Sequence, residues 1–222
     1  PDVAAEADQM KHVVIGAHLE KGDIEPPAEA IPVADLWLSG MPIDDAQPLG
    51  DRELLLRVAQ TRAALLDRAT FIAIRYGFTA HGQSDAAAKC AAHIDRWRRI
   101  LREYRGMVEM TLKVAAASPR ARPDRHDFES GAAYIRALHE ATRAAEVAPE
   151  FRSAVDAMLA PLAVKDRWST RDTASLEFAA LVRRESVAAM NDAGSALKRD
   201  FAAVPFLLSG PWPLEVFADD HE

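Results

Sequence analysis

The sequence predicts an α+β protein built from two small α+β units joined by a long helix. Two observations carry that expectation. Short runs that are β-branched or alternate apolar with polar residues read as strands, and apolar residues recurring at three and four read as helices. The two kinds interleave along the whole chain without a repeat of fixed period, which excludes a solenoid or propeller. At 222 residues the chain is long enough to bury a substantial core.

In chain order, His12–Leu19 has the β-branched density of a strand, and Gly22, Pro26 and Pro27 mark a loop after it. Ile31–Leu38 is a second strand. Pro42, Pro48 and Gly50 punctuate the next loop, and Asp51 then caps a helix whose apolar face carries Leu55, Val58 and Leu65. Thr70–Gly77, TFIAIRYG, is a short strand. From Ser84 to Arg105 the positions Ala87, Cys90, Ile94, Trp97, Leu101 and Tyr104 form one stripe, predicting a single long helix that stops at Gly106. Val108, Met110, Leu112 and Val114 then alternate with Glu109, Thr111 and Lys113 on a strand.

Residues 115–127 are a polar, proline-containing loop, expected to be the most mobile segment. Two helices follow, the first with Tyr134, Leu138, Ala141 and Ala145 on one face, the second with Phe151, Val155, Met158 and Leu162 and with Pro149 near its start. Leu176, Phe178, Ala180 and Val182 alternate on a strand, while Val187, Met190, Gly194, Leu197 and Phe201 repeat on a helix. Val204–Ser209 is a final strand. The two units are expected to be residues 1–105 and 106–222.

With 49% hydrophobic and 27% charged residues the composition is that of a folded domain, and a net charge of -7 argues against general nucleic-acid binding. The single cysteine, Cys90, can form neither an intramolecular disulfide nor a thiolate metal site, which fits a reducing cytoplasm. Phe201–Leu214, the longest uncharged run, is interrupted by Pro205, Pro211 and Pro213, so no membrane span is expected. The first residues lack the pattern of a secretory signal.

No nucleotide, serine-hydrolase or zinc-protease signature occurs. His139 opens HEATR, which lacks the second histidine of a helical zinc site, and reads as a helix-surface residue; His81 reads as a loop histidine. Cys90 lies on the apolar stripe and reads as a core residue. RWRRILREYR, residues 96–105, resembles a basic aromatic patch, but Trp97 and Tyr104 fall on the apolar side and most of the arginines on a solvated one. Catalytic residues, cofactors and metals are therefore not expected.

FIAIRYGFTA at 71–80, REYRGMVEMTLKV at 102–114 and VPFLLSGPWPLEVF at 204–217, taken together, resemble the GvpL/GvpF family of gas vesicle proteins. The resemblance singles out Arg75, Tyr76, Gly77, Arg105, Gly106, Glu109, Gly210, Pro211, Trp212 and Pro213 as family-motif residues, structural or partner-binding. It implies two α+β domains, the second ferredoxin-like with a helical hairpin. It implies a non-enzymatic accessory role in assembling gas vesicles, the hollow protein shells that lift buoyant microbes. The expected partners are the small hydrophobic shell protein, GvpA-like, and other gas vesicle accessory proteins. The expected location is cytoplasmic and vesicle-associated, with possible retention as a minor vesicle component; the competing reading is a repurposed protein-binding module. Arg75 and Glu109 are read as structural ion-pairing groups rather than catalytic ones. Pro211 and Pro213 stiffen the backbone around Trp212, and the preferred reading makes that ring a plug closing the core of the second unit.

Overall fold

The computed structural model describes residues 10–21, 28–115, 124–142, 149–172 and 175–218. It divides into two compact units, Pro1–Val108 with Trp212–Glu222, and Glu109–Pro211. The first residues and the centre of the loop at 115–127 lie outside the described residues. Among those described are nine strands and six helices.

The first unit contains β1 (Lys11–His18), β2 (Glu29–Val33), β3 (Leu36–Ile43), α1 (Arg52–Arg68), β4 (Phe71–Ala73), β5 (Thr79–His81), α2 (Gly82–Cys90) and α3 (Ile94–Glu103). Its sheet runs β2-β3-β1-β4, with β5 pairing to the same side of β1 as β4. Every residue from His12 to His18 is buried, as expected for a strand with neighbours on both edges and cover on both faces. Val13 and Ile15 pack with Leu54 and Val58 of α1, whereas Val14 and Ala17 pack with Ala86 and Cys90 of α2. Val14 and Ala17 share a face despite their odd spacing because the register shifts between Val14 and Gly16. Gly16 has no alternative there, since a Cβ would stand 2.4 Å from the Phe71 ring.

Three local expectations changed on folding. The single strand over 31–38 is a hairpin, with Val33 opposite Leu36 across a two-residue turn in which Ala34 takes φ +56°. Without Asn or Gly at that turn, the usual hairpin signal was missing. In α1, Asp51 does cap the helix, its Oδ1 accepting from the amides of Glu53 at 2.6 Å and Leu54 at 3.1 Å. The buried stripe is Leu54, Val58, Leu65 and Leu66, however, and Leu55 is exposed. The long helix is two: α2 ends at Cys90 in a tight turn, with His93 N–H on the Cys90 carbonyl at 2.8 Å, before α3 begins. No glycine or proline marks that break.

The second unit is built on β6 (Met107–Ala115), whose first two residues belong to the first unit, followed by α4 (Gly131–Thr142), α5 (Pro149–Met158), β7 (Lys165–Asp172), β8 (Ser175–Arg183), α6 (Val187–Asp200) and β9 (Phe206–Trp212). Its sheet order is β7-β8-β6-β9. β7, KDRWSTRD, escaped sequence reading because a charged end strand needs no apolar alternation. The middle strands are buried on both faces, so Glu109, Thr111 and Glu177 are covered along with the apolar positions. The helices close one face: the Phe151 ring meets those of Phe201 and Phe206, each at 5.2 Å, and a Cβ on Gly194 of α6 would stand 2.3 Å from Leu208 of β9.

The division differs from two contiguous stretches, 1–105 and 106–222, because the end of the chain returns to the first unit. Leu214 donates to the Phe71 carbonyl at 2.9 Å and accepts from the Ala73 amide at 3.1 Å. The side chains of Leu214 and Phe217 are fully buried.

Candidate functional site

The residues Arg75, Tyr76 and Gly77 form a bulge in what is otherwise a continuous partner for β1. Ile74 N–H reaches the Ile15 carbonyl at 3.1 Å, and Val14 N–H reaches the Phe78 carbonyl at 2.9 Å, so pairing resumes on either side. Gly77 takes φ +96°, a conformation that side chains disfavour, which accounts for its glycine. Tyr76 folds back onto the core formed by Val13, Ile15 and Met41, and its hydroxyl donates to the Leu49 carbonyl at 2.5 Å. Arg75 is exposed and has no carboxylate partner among the described residues of the first unit.

At the second motif, Gly106 turns the chain from α3 into β6 with φ +75°. Its amide donates to Thr70 Oγ1 at 2.9 Å, and the Thr70 hydroxyl donates to the Met107 carbonyl at 3.0 Å, so one side chain clamps the turn. Arg105 is exposed and pairs with Glu20. Glu109 is buried on β6.

The third motif packs on the second. Gly210, at φ +132°, lies so close to β6 that a Cβ would stand 2.6 Å from Met110 Sδ and 2.9 Å from the Glu109 carbonyl. The Gly210–Pro211 peptide is cis. Beside it, Ser209 Oγ donates to the Thr111 carbonyl at 3.3 Å. Pro213 is half-buried, but Trp212 is 48% exposed. The ring is therefore not the plug expected; Leu214 and Phe217, just beyond it, fill the core instead, and that core is in the first unit. Sequence reading also missed Leu207 of β9, which is 64% exposed although it sits in an apolar run.

Two arginines of α3, Arg98 and Arg102, are paired within the first unit. Arg98 grips Asp35 through Nε at 2.6 Å and Nη2 at 2.5 Å and also pairs with Asp95, while Arg102 reaches Asp35 at 3.3 Å. Hydrogen bonding from Arg98 holds the Asp35 carboxyl below its ordinary range, and the two carboxylates push the Arg98 guanidinium upward. Asp35 gave no sequence signal because its partner lies in a different element. Cys90 is buried and its thiol is pushed up by that burial, the reverse of an activated nucleophile. His81 ends β5; the side chain of His139 lies outside the described residues. Among the described residues no group of His, Cys, Asp and Glu has the makings of a metal site, and no helix is long and apolar enough to cross a membrane.

The sequence profile of the gas vesicle synthesis protein GvpL/GvpF family matches residues 4–218. The chain belongs to that family. Within the GvpL/GvpF family its fold is shared with solved structures of very different sequence. Gas vesicle protein GvpF from Microcystis aeruginosa superposes with a TM-score of 0.66 at 10% identity, covering 95% of this chain and 99% of that one. GvpF from Anabaena sp. PCC7120 gives 0.65 at 12% identity, covering 96% and 100%. No curated protein matches by sequence.

Proposed function

We propose that this GvpL/GvpF protein is a gas vesicle assembly factor that binds the small hydrophobic shell protein and keeps it dispersed until it is incorporated. One observation supports the reading most directly: β9, at the end of the second sheet, carries Leu207 at 64% exposure. An end strand offers unpaired backbone groups on its outer edge, and an apolar side chain beside them suits a partner that itself assembles through apolar surface. The protein's net charge of -7 keeps such a complex soluble. On this reading the protein works in the cytoplasm at growing vesicles, alongside other accessory proteins, and acts by binding rather than catalysis.

Co-expression tests it. The shell protein is expected to stay soluble and co-purify with the wild-type chain, and Leu207→Glu is expected to abolish co-purification while leaving the circular dichroism spectrum unchanged. A shell protein equally soluble alone, and never co-eluting, removes the reading. Vesicles washed in mild denaturant then separate a retained component, which stays, from a transient factor, which is lost.

A further inference from the structure

The first unit contains a pocket of about 480 Å³, within the size range of small-ligand sites. It lies between the end of β4 with its bulge, the side of α1, the α2–α3 turn and the returning chain at Leu214. Its charge runs against that of the whole protein. Arg62, Arg75, Lys89 and Arg96 line it, against Glu215 as the one carboxylate among the described lining residues, in a chain of net charge -7.

Lys89 is answered by Asp85 at 2.7 Å, outside the lining. Among the described residues, Arg62 Nη2 donates to a neutral acceptor, the Ile74 carbonyl, and its Nε is buried without a hydrogen-bond partner. Burial pushes this guanidinium below its ordinary value, and the field of Glu215 offsets part of that push. Arg75 adds a second guanidinium, with no carboxylate partner among the described residues of its unit. Cations held on neutral carbonyls at a partly dry wall keep their field for an incoming anion. Beside them is an apolar surface: Trp97 stacks on His93 with centroids 5.3 Å and planes 19° apart, and Ile72, Phe78 and Leu214 extend it.

We propose that this pocket binds a carboxylate joined to a short apolar group, with Arg62 and Arg75 holding the carboxylate and the Trp97 wall holding the apolar part. Two sources offer that chemistry, an acidic residue next to an apolar one in a peptide, and a free aliphatic acid. Arg96 sits at the same rim but donates to the Ala218 carbonyl, so it anchors the returning chain.

Calorimetric titration of the full chain with N-acetyl-Leu-Glu amide and with hexanoate, each beside its uncharged counterpart (the Leu-Gln peptide and hexanamide), tests the proposal. At least one carboxylate is expected to bind about tenfold more tightly than its counterpart, the difference shrinking with added salt; whichever carboxylate binds more tightly names the source. Arg75→Gln, at an exposed position, is expected to weaken that binding about tenfold without altering the circular dichroism spectrum, and Arg62→Lys is expected to retain most of it. Equal binding of carboxylate and amide, no binding of either carboxylate, or undiminished binding by Arg75→Gln overturns it.

Discussion

The two sheets bury different polar groups, His12, His18 and Ser39 in the first against Glu109, Thr111 and Glu177 in the second. In the first unit the central strand β1 is sealed from His12 to His18, helices cover both faces, and Arg98 and Arg105 are drawn onto Asp35 and Glu20. In the second unit carboxylates are carried into the sheet itself, at Glu109 and Glu177, while the end strand β9 keeps Leu207 in solvent. A strand with neighbours on both sides has nothing left to offer a partner; an end strand has a whole backbone edge. The difference is the one on which the proposed docking at the edge of the second sheet rests.

The largest expected effect probes where the C-terminal segment is anchored. Phe217→Ala removes a fully buried ring from the first unit and should cost about 3 to 5 kcal/mol in chemical denaturation. Trp212→Ala, five residues earlier and half in solvent, should cost about 1 kcal/mol or less. A reversed order would restore the plug reading of Trp212 and dissolve the contrast between the units.

Next in size is Gly210→Ala. The new Cβ meets Met110 and the Glu109 carbonyl at sub-van der Waals distance at a φ of +132°, so a loss of about 2 to 4 kcal/mol is expected. Hydrogen exchange should show faster opening in β6 and β9 than in β1; uniform acceleration would mean that the two sheets do not unfold separately.

The smallest effect is a pH dependence confined to the first unit. His18 is buried with Nδ1–H donating to the Glu20 carbonyl and Nε2 accepting from Ser39 Oγ at 2.9 Å, and burial lowers its pKa from the ordinary 6.5. The unfolded chain therefore takes up a proton before the folded one does. The stability contribution is full above pH 6.5 and is lost as the pH falls toward the lowered folded value. Asp35 and Asp85, whose pKa values are lowered from 3.8, leave that window to His18. The unfolding midpoint should fall on acidification from neutral to about pH 5, with β1 exchanging faster, and His18→Gln should flatten the response. An unchanged slope in that variant rejects the assignment.

Much of the fold was legible because local signals agree with global ones. The Asp51 cap, the end of α3 shortly before Gly106, the strands β6 and β8 and the stripe of Met190, Gly194 and Leu197 on α6 all depend on neighbours in sequence and appear as expected, although β6 and β8 are buried on both faces rather than on alternate residues. The misses share a different cause. The β2–β3 turn at Ala34, the break at residues 91–93 and the charged strand β7 carry none of the usual local markers, neither a glycine nor a proline at the turns nor apolar alternation on the strand.

The same boundary runs through the candidate site. By itself the sequence determined the family, through RYG, RGMVE and GPWP taken together, and it determined that two prolines would stiffen the chain around Trp212. Only the tertiary structure decided that Gly210 is required by the backbone of β6, that Leu214 and Phe217 rather than Trp212 fill the core, and that Arg62 and Arg75 line one pocket. The physical reason is distance along the chain. Propensity, capping and proline stiffness act within a few residues, whereas burial and close approach join residues from separate elements, such as Gly210 with Met110 and Leu214 with Phe71, and those pairings exist only once the sheets have formed.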